Sequence, residues 1–315
     1  MDPALPGYID ELAATARRAF ADAGGVDLAR AAEADIAERR RAADVLRALG
    51  GFDVDALADA DQALAAFALC REAGRVALPY PVEATMCRVD GAPVVLADPS
   101  DPLVDHADLL DGMVAFDLAG TARAVTASSA PLGARLAPFA CPVTLGRELP
   151  ADGAAAAMAW TLTSTTVLGY VEAGLDFAVA HVSDRHQFGQ RIADFQAVQF
   201  QIADAVVAAS GLAELGLFTL WRVATVRGEA ISDALALRVH AADVARSVLR
   251  TAQQLHGASG VAEEYDISVL CRRAQTGIRS PVSSERILAT LVGMVREHGF
   301  ASLFGHGRRR QAVGG

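Results

Sequence analysis

Residues 184–196 read Asp-Arg-His-Gln-Phe-Gly-Gln-Arg-Ile-Ala-Asp-Phe-Gln, and the stretch continues Ala-Val-Gln-Phe-Gln-Ile-Ala-Asp to position 204. This polar, aromatic corner stands between two long apolar runs. It offers a guanidinium, Arg185, where one helix ends, a glycine turn at Gly189, and the start of a new helix with Asp194 expected as its cap. The combination suits an anion together with a flat ring; it equally suits an ordinary helix-turn-helix corner. A second polar cluster, Gln253-Gln254-Leu255-His256-Gly257-Ala258-Ser259-Gly260, closes another apolar run. Its glycines also read as a plain helix stop, and His256 reads as a packed or hydrogen-bonded structural histidine.

Outward from the corner the apolar period is helical. Leu168, Val171, Leu175, Val179 and Val182 line one face; Val198, Ile202, Val206, Ala209, Ala213, Leu217 and Leu220 line a second; Leu237, Ala241, Val244, Val248, Ala252 and Leu255 line a third. A fourth segment begins near Pro281 and carries Ile287, Leu291, Met294 and Val295. Four such helices predict an antiparallel four-helix bundle over residues 151–304. An N-terminal helical domain is expected over 1–81. Ile9, Leu12, Ala16, Ala19 and Phe20 share a face, a second segment runs from about Leu28 to Leu49 before the Gly50-Gly51 stop, and a third from about Asp61 to Arg75. Between these domains, residues 82–150 are punctuated by proline, glycine and aspartate around short β-prone runs such as 93–96 and 113–116, which predicts a shortened middle β segment. The tail 305–315 reads as a flexible, solvated end.

Composition narrows the chemistry. The 315 residues are 52% hydrophobic, 6% aromatic and 21% charged, which is far from disorder. Twenty-eight basic residues stand against 38 acidic ones, a net charge of −10, and every fixed cation is an arginine because lysine is absent. A lysine Schiff base and a phosphate-loop lysine are therefore excluded. With no basic stripe, nucleic-acid binding is not expected. Cys70, Cys87, Cys141 and Cys271 are scattered without metal-ligand or disulfide spacing, so no metal site is expected and reduced thiols in the cytoplasm fit best. The N-terminus lacks a cationic and apolar leader, and no membrane association is expected. GxGxxG, GxSxG and HExxH are absent, as are the Glu-x-x-His pairs of di-iron bundles.

Residues 185–204, together with Ala-Gln-Gln-Leu-His-Gly-Ala-Ser-Gly-Val at 252–261, then Glu264-Tyr265 and Arg272-Arg273, resemble the signatures of acyl-CoA dehydrogenases, in order and at about the right separation. The resemblance is strong from about Thr161 to Arg273 and thin before it. It implies a mainly α fold of an N-terminal helical domain, a middle β-domain and a C-terminal four-helix bundle. It also implies FAD at a subunit interface, dehydrogenation of an acyl-CoA thioester at Cα–Cβ, and electron transfer to an electron-transfer flavoprotein. Carried over by position, Arg185, Gln187 and Phe188 would contact the adenosine and pyrophosphate portion of a neighbour's FAD, Phe195 and Gln196 its adenine end, and Gln254, Leu255, Gly257 and Ala258 the pyrophosphate. A guanidinium never deprotonates, which suits Arg185 to that anion.

The departures matter as much. The family reaction needs a carboxylate to take the α-proton. One family position for it falls at or next to Pro281, and the other, 26 residues before Arg185, falls on Ala159; neither holds an acid, so the chain is expected to lack its own catalytic base. Residues 82–150 contain neither a Thr-Glu-Pro loop nor a tryptophan to cradle the flavin. The pattern resembles the short, non-catalytic subunit of heteromeric acyl-CoA dehydrogenases of the actinobacterial sterol side-chain type, as does Gly74-Arg75 followed by Pro79-Tyr80-Pro81. That resemblance implies a heterodimer or heterotetramer with a full-length partner that supplies the glutamate. Two alternatives stay open. One is a self-sufficient dehydrogenase with a relocated carboxylate, Glu172, Asp176 or Glu285; the other is a flavin-free scaffold.

Overall fold

The computed structural model describes residues 5–226 and 230–298. The expected tail 305–315, and the stretch 299–304 of the expected bundle, lie outside them.

Four helices open the chain: α1 (Gly7–Asp22), α2 (Val26–Ala32), α3 (Ile36–Ala48) and α4 (Ala60–Arg75). The single segment expected over 28–49 is two helices, because Asp35 turns its carboxylate onto the Ala37 N–H at 2.8 Å and so starts a new one. Asp59 does the same for α4 through Gln62 N–H. A five-residue helix, α5 (Val82–Met86), follows Pro81 and leads into the sheet.

The sheet holds β1 (Arg88–Val89), β2 (Ala92–Leu96), β3 (Leu103–Asp105), β4 (Val114–Phe116), β5 (Ala122–Ser128) and β6 (Ala140–Leu149), in the order β1-β2-β4-β5-β6-β3. The β-prone runs 93–96 and 113–116 fall on strands β2 and β4, which are parallel neighbours, Val94 opposite Val114 and Leu96 opposite Phe116. Both faces of these strands are covered. Val94, Val114 and Phe116 join the main core with the helices, while Val95 and Ala115 join a smaller core with Val104, Met113, Cys141 and Val143. Side chains alternate between the faces, so a strand covered on both sides reads as an unbroken apolar run.

Beyond the sheet come α6 (Gly153–Asp184), α7 (Gln196–Val226), α8 (Ile231–His256), α9 (Asp266–Arg279) and α10 (Ser284–His298). The fourth expected helix is α10, and α9 before it is a further helix that the sequence reading did not single out, the two separated at Ser280-Pro281. Helix α9 buries Ile267, Leu270, Cys271, Ala274 and Ile278, a helical spacing inside a polar sequence. Helix α6 is buried over most of its length from Ala154 to Gly174, with Trp160 fully enclosed. It passes very close to α4: a Cβ on Gly74 would lie 2.1 Å from the Thr166 carbonyl oxygen, and one on Gly169 would lie 2.1 Å from that of Arg71. Only two glycines permit that backbone approach.

Helix α7 keeps most of the expected face, with Ala209 and Leu220 buried and Ile202, Ala213 and Leu217 packed against the core; Val206 is the exposed member, and the buried line also takes in Ala205, Leu212 and Val223. The helix is apolar around most of its circumference, so sequence period alone does not choose the inward side. All four cysteines are buried free thiols.

Candidate functional site

One end of the bundle gathers both polar clusters. Helix α6 ends at Asp184, α7 begins at Gln196 and α8 ends at His256, and His181 stacks on His256 with ring centroids 4.4 Å apart. Between α6 and α7 the chain makes a short hairpin, β7 (His186–Gln187) against β8 (Gln190–Arg191). Its two turn residues, Phe188 and Gly189, have φ of 54° and 83°. Two successive positive φ values are what a two-residue hairpin demands, and a phenylalanine rarely adopts one. The turn holds Phe188 outward, 90% exposed, with its ring edge-on to Phe195 at 6.3 Å.

The charges there are divided. Asp194 does not act as the expected helix cap; Arg191 takes its carboxylate, with Nη2 donating to Oδ1 at 2.9 Å. That pair holds Asp194 below the usual carboxylate range. Arg185 is exposed and forms no ion pair among the described residues; its backbone instead fixes the corner, with its N–H donating to His181 O at 2.9 Å and its carbonyl accepting from Ile192 N–H at 2.8 Å. Gln187, Gln196, Gln254, Gly257 and Ala258 are exposed as well, while Leu255 is half-buried and packs against the core. The turn after α8 is held by packing: Gln253 Nε2 donates to Gly260 O at 3.0 Å, and a Cβ on Gly260 would meet Gln253 O at 2.4 Å. His256 Nδ1 sits 2.7 Å from the Ala252 carbonyl, so that nitrogen carries the proton. Burial first, then His256 and Arg185, push His181 below the usual histidine range. Sequence reading did not single out His181, because only tertiary packing sets it beside His256. The corner thus presents an unpaired guanidinium, an exposed ring, side-chain amides and a tight glycine turn on an open surface, groups able to meet an anion and a flat ring.

A second candidate lies inside the chain. A cavity of about 90 Å³ is walled by α5, the sheet, α6 and the end of α9, and its lining includes Glu83, Ala159, Thr166, Tyr170 and Pro281. Both positions expected to lack the base, Ala159 and Pro281, therefore face one space. The three alternative carboxylates are elsewhere. Glu172 is held by Arg71 at 2.8 Å and Arg75 at 2.9 Å, Asp176 pairs with Arg75, and Glu285 is exposed in the first turn of α10. A larger apolar cavity of about 230 Å³ lies among Leu57, Ala63, Met158, Leu217 and Trp221. Its polar neighbours are occupied, Asp59 in capping α4 and Thr225 in bonding to the Trp221 carbonyl, so it presents no group for chemistry.

Comparison with known proteins bears on the family and the fold. Residues 155–277 match the acyl-CoA dehydrogenase C-terminal domain. The chain is 32% identical over 108 residues to the probable acyl-CoA dehydrogenase YngJ of Bacillus subtilis, a match covering 34% of this chain and 28% of that protein. The matched stretch thus spans under a third of that relative's own length. Among solved structures, the chain is similar to one in the ChsE4-ChsE5 complex from Mycobacterium tuberculosis, with a TM-score of 0.75 at 16% identity, over 94% of this chain and 99% of that one. It is also similar to a variant of the Tcur3481-Tcur3483 steroid ACAD, with a TM-score of 0.72 at 20% identity, over 92% and 98%. At these identities the structural likeness is one of fold.

Proposed function

We propose that this chain, whose residues 155–277 match the acyl-CoA dehydrogenase C-terminal domain and whose mainly helical fold is like that of butyryl-CoA dehydrogenase, is a subunit of a heteromeric, FAD-dependent acyl-CoA dehydrogenase and completes the FAD site of a full-length partner. The observation that carries the reading is the placement of Arg185. It stands exposed and without an ion-pair partner among the described residues, at the bundle end where Phe188 and the Gln254–Ala258 turn converge. In this reading Arg185, Gln187 and Phe188 hold the adenosine and pyrophosphate portion, Phe195 and Gln196 the adenine end, and Gln254, Gly257 and Ala258 the pyrophosphate. Leu255, packed inward, supports that turn. The chemistry FAD supplies when bound is acceptance of the β-hydride of an acyl-CoA thioester, with electrons passing on to an electron-transfer flavoprotein. The partner provides the carboxylate for the shared site, since Ala159 and Pro281 stand at the two family positions here. The buried free thiols and acidic surface suit a reducing, cytoplasmic setting without nucleic acid.

Helix α7 supplies the surface for such assembly. Phe200, Val207 and Trp221 recur at multiples of seven residues and are 60%, 73% and 49% exposed. By length and composition α7 is apolar enough to cross a membrane; it is instead packed into the bundle, and its outer face fits a second bundle better than lipid. Val207→Glu places a charge on that face without disturbing the core. The expected outcome is loss of the partner, and of its flavin, on size-exclusion chromatography, while helicity by circular dichroism is unchanged. Retention of a stoichiometric, yellow complex would count against α7 as the assembly face.

A further inference from the structure

The chain settles most of its interior carboxylates with arginine: Glu72 pairs with Arg17, Glu172 with Arg71 and Arg75, and Asp108 with Arg39. Two carboxylates on the wall of the smaller cavity depart from this. Glu83 of α5 forms no ion pair among the described residues. Asp105 of β3 has its Oδ1 buried without a hydrogen bond, and its Oδ2 lies 3.7 Å from the imidazole of His106, which burial keeps neutral. None of the lining residues is basic. A third polar group reaches the same space: Tyr170 of α6 is only 7% exposed, and its hydroxyl makes no hydrogen bond among the described residues. Buried polar groups are almost always paired, so two carboxylates and a phenol around one space call for a donor held between them.

We propose that this cavity is a binding site for a primary ammonium group, whose three N–H donors meet the Glu83 and Asp105 carboxylates and the Tyr170 oxygen. An ammonium brings three donors and one compact positive charge, the complement of two carboxylates and a phenol on a wall without a cation. A metal ion fits less well, because among the described residues no three metal-ligating side chains gather in one place. The volume, about 90 Å³, is below the roughly 150 Å³ that accepts a benzene ring, so the occupant is an amine of few heavy atoms. Ala159 and Pro281 add only apolar wall. The proposal rests on neither the acyl chemistry nor assembly with a partner.

The charges around Glu83 agree with a cation ligand. Burial is the largest influence on its carboxyl and raises it to about 7, assisted by the negative charge of Asp105 and opposed by its own backbone N–H and the Thr166 hydroxyl of α6. Burial also raises Asp105, against the guanidinium groups of Arg273 from α9 and Arg39 from α3. Those two cations are engaged elsewhere: Asp108 holds Arg39, and Arg273 lies over the Phe139 ring, 4.1 Å from its centroid. The remaining titratable neighbours stay neutral, since burial pushes Tyr170 up to about 12 and raises the Cys70 thiol of α4 well above its usual value. A cation set between Glu83 and Asp105 offsets their repulsion and favours the ionised form of Glu83. Binding below about pH 7 therefore expels the Glu83 proton.

The test uses the full chain purified alone and isothermal titration calorimetry with methylammonium, which stays charged between about pH 6 and 9. Wild type is expected to bind one methylammonium per chain, with an affinity that rises about tenfold per pH unit below about pH 7 and levels off above it. At about pH 6 the heat should depend on the buffer, because a proton is released. Tetramethylammonium, with the same charge but no N–H donor, should not bind. Glu83→Gln should lose roughly 10- to 100-fold in affinity at about pH 8 together with the pH dependence, and Tyr170→Phe should lose roughly fivefold and keep it. Thermal melts of both variants check that they remain folded. No saturable heat at about pH 8, equal binding of tetramethylammonium, or binding by folded Glu83→Gln that matches wild type would each overturn the proposal. The flavin content of the heteromer, which reports on Arg185, is untouched by any of these results.

Discussion

If the chain assembles as proposed, replacing Arg185 with alanine should leave the proposed heteromer assembled but weaken its hold on FAD by roughly thirtyfold, about 2 kcal/mol, the typical worth of a hydrogen bond to a charged group. The side chain is exposed and pairs with no carboxylate among the described residues, so its removal breaks no internal ion pair and the fold should be indifferent. Its backbone contacts, to His181 O and from Ile192 N–H, survive the substitution. Loss of flavin therefore reports on the guanidinium alone. Arg185→Lys separates charge from geometry: an ammonium keeps the charge but cannot donate as a planar fork, and an intermediate loss is expected. Arg191 is the internal control, because Asp194 already engages it. Equilibrium dialysis of FAD against the three complexes measures the effect, and equal retention in wild type and Arg185→Ala would remove the residue from the site.

The second large effect is on stability and comes from Glu83. Its folded carboxyl titrates near 7 against an ordinary value of 4.5, because burial disfavours the charge. Between those values the folded chain keeps a proton that the unfolded chain has released. The stability tied to that proton is fully present below about pH 4.5 and is lost as pH rises through about 7. The difference corresponds to roughly 3 kcal/mol. Glu83→Gln should accordingly match wild type in acid and exceed it at pH 8 by an amount approaching that figure, seen as a rise of several degrees in Tm. Comparing the two proteins at each pH cancels the other carboxylates, such as Asp98, whose pairing with Arg286 lowers its titration and gives the opposite slope. A constant offset across the pH range would show that the Glu83 carboxyl is ordinary.

Glu83 also illustrates what a linear reading can reach. The corner at 184–196 and the turn at 253–260 are legible because each places punctuation residues at helix ends, and the ends meet once α6, α7 and α8 fold back on one another. The glycines Gly74 and Gly169 are visible as residues, but their purpose, two backbones in contact, exists only after α4 crosses α6. Helix α9 hides its period among Asp266, Arg272, Arg273 and Arg279, of which Asp266 pairs with the distant Arg30 and Arg272 with the distant Glu33. Helix α7 has the reverse problem, being apolar on more than one side. Glu83 has no periodic signal, since α5 is five residues long. The cue it does offer is negative: no arginine stands three or four residues away, whereas Asp27, Glu38, Asp44 and Asp243 each have one. Four separate elements bring the cavity around it, and none announces the others in sequence.

The most direct test of shared FAD binding is the visible spectrum and FAD-to-protein ratio of this chain, purified alone and then co-purified with its full-length partner. The account predicts a colourless chain alone and a yellow complex carrying close to one FAD per pair. A chain that is yellow by itself, with close to one FAD per chain and bleached by an acyl-CoA, would contradict it.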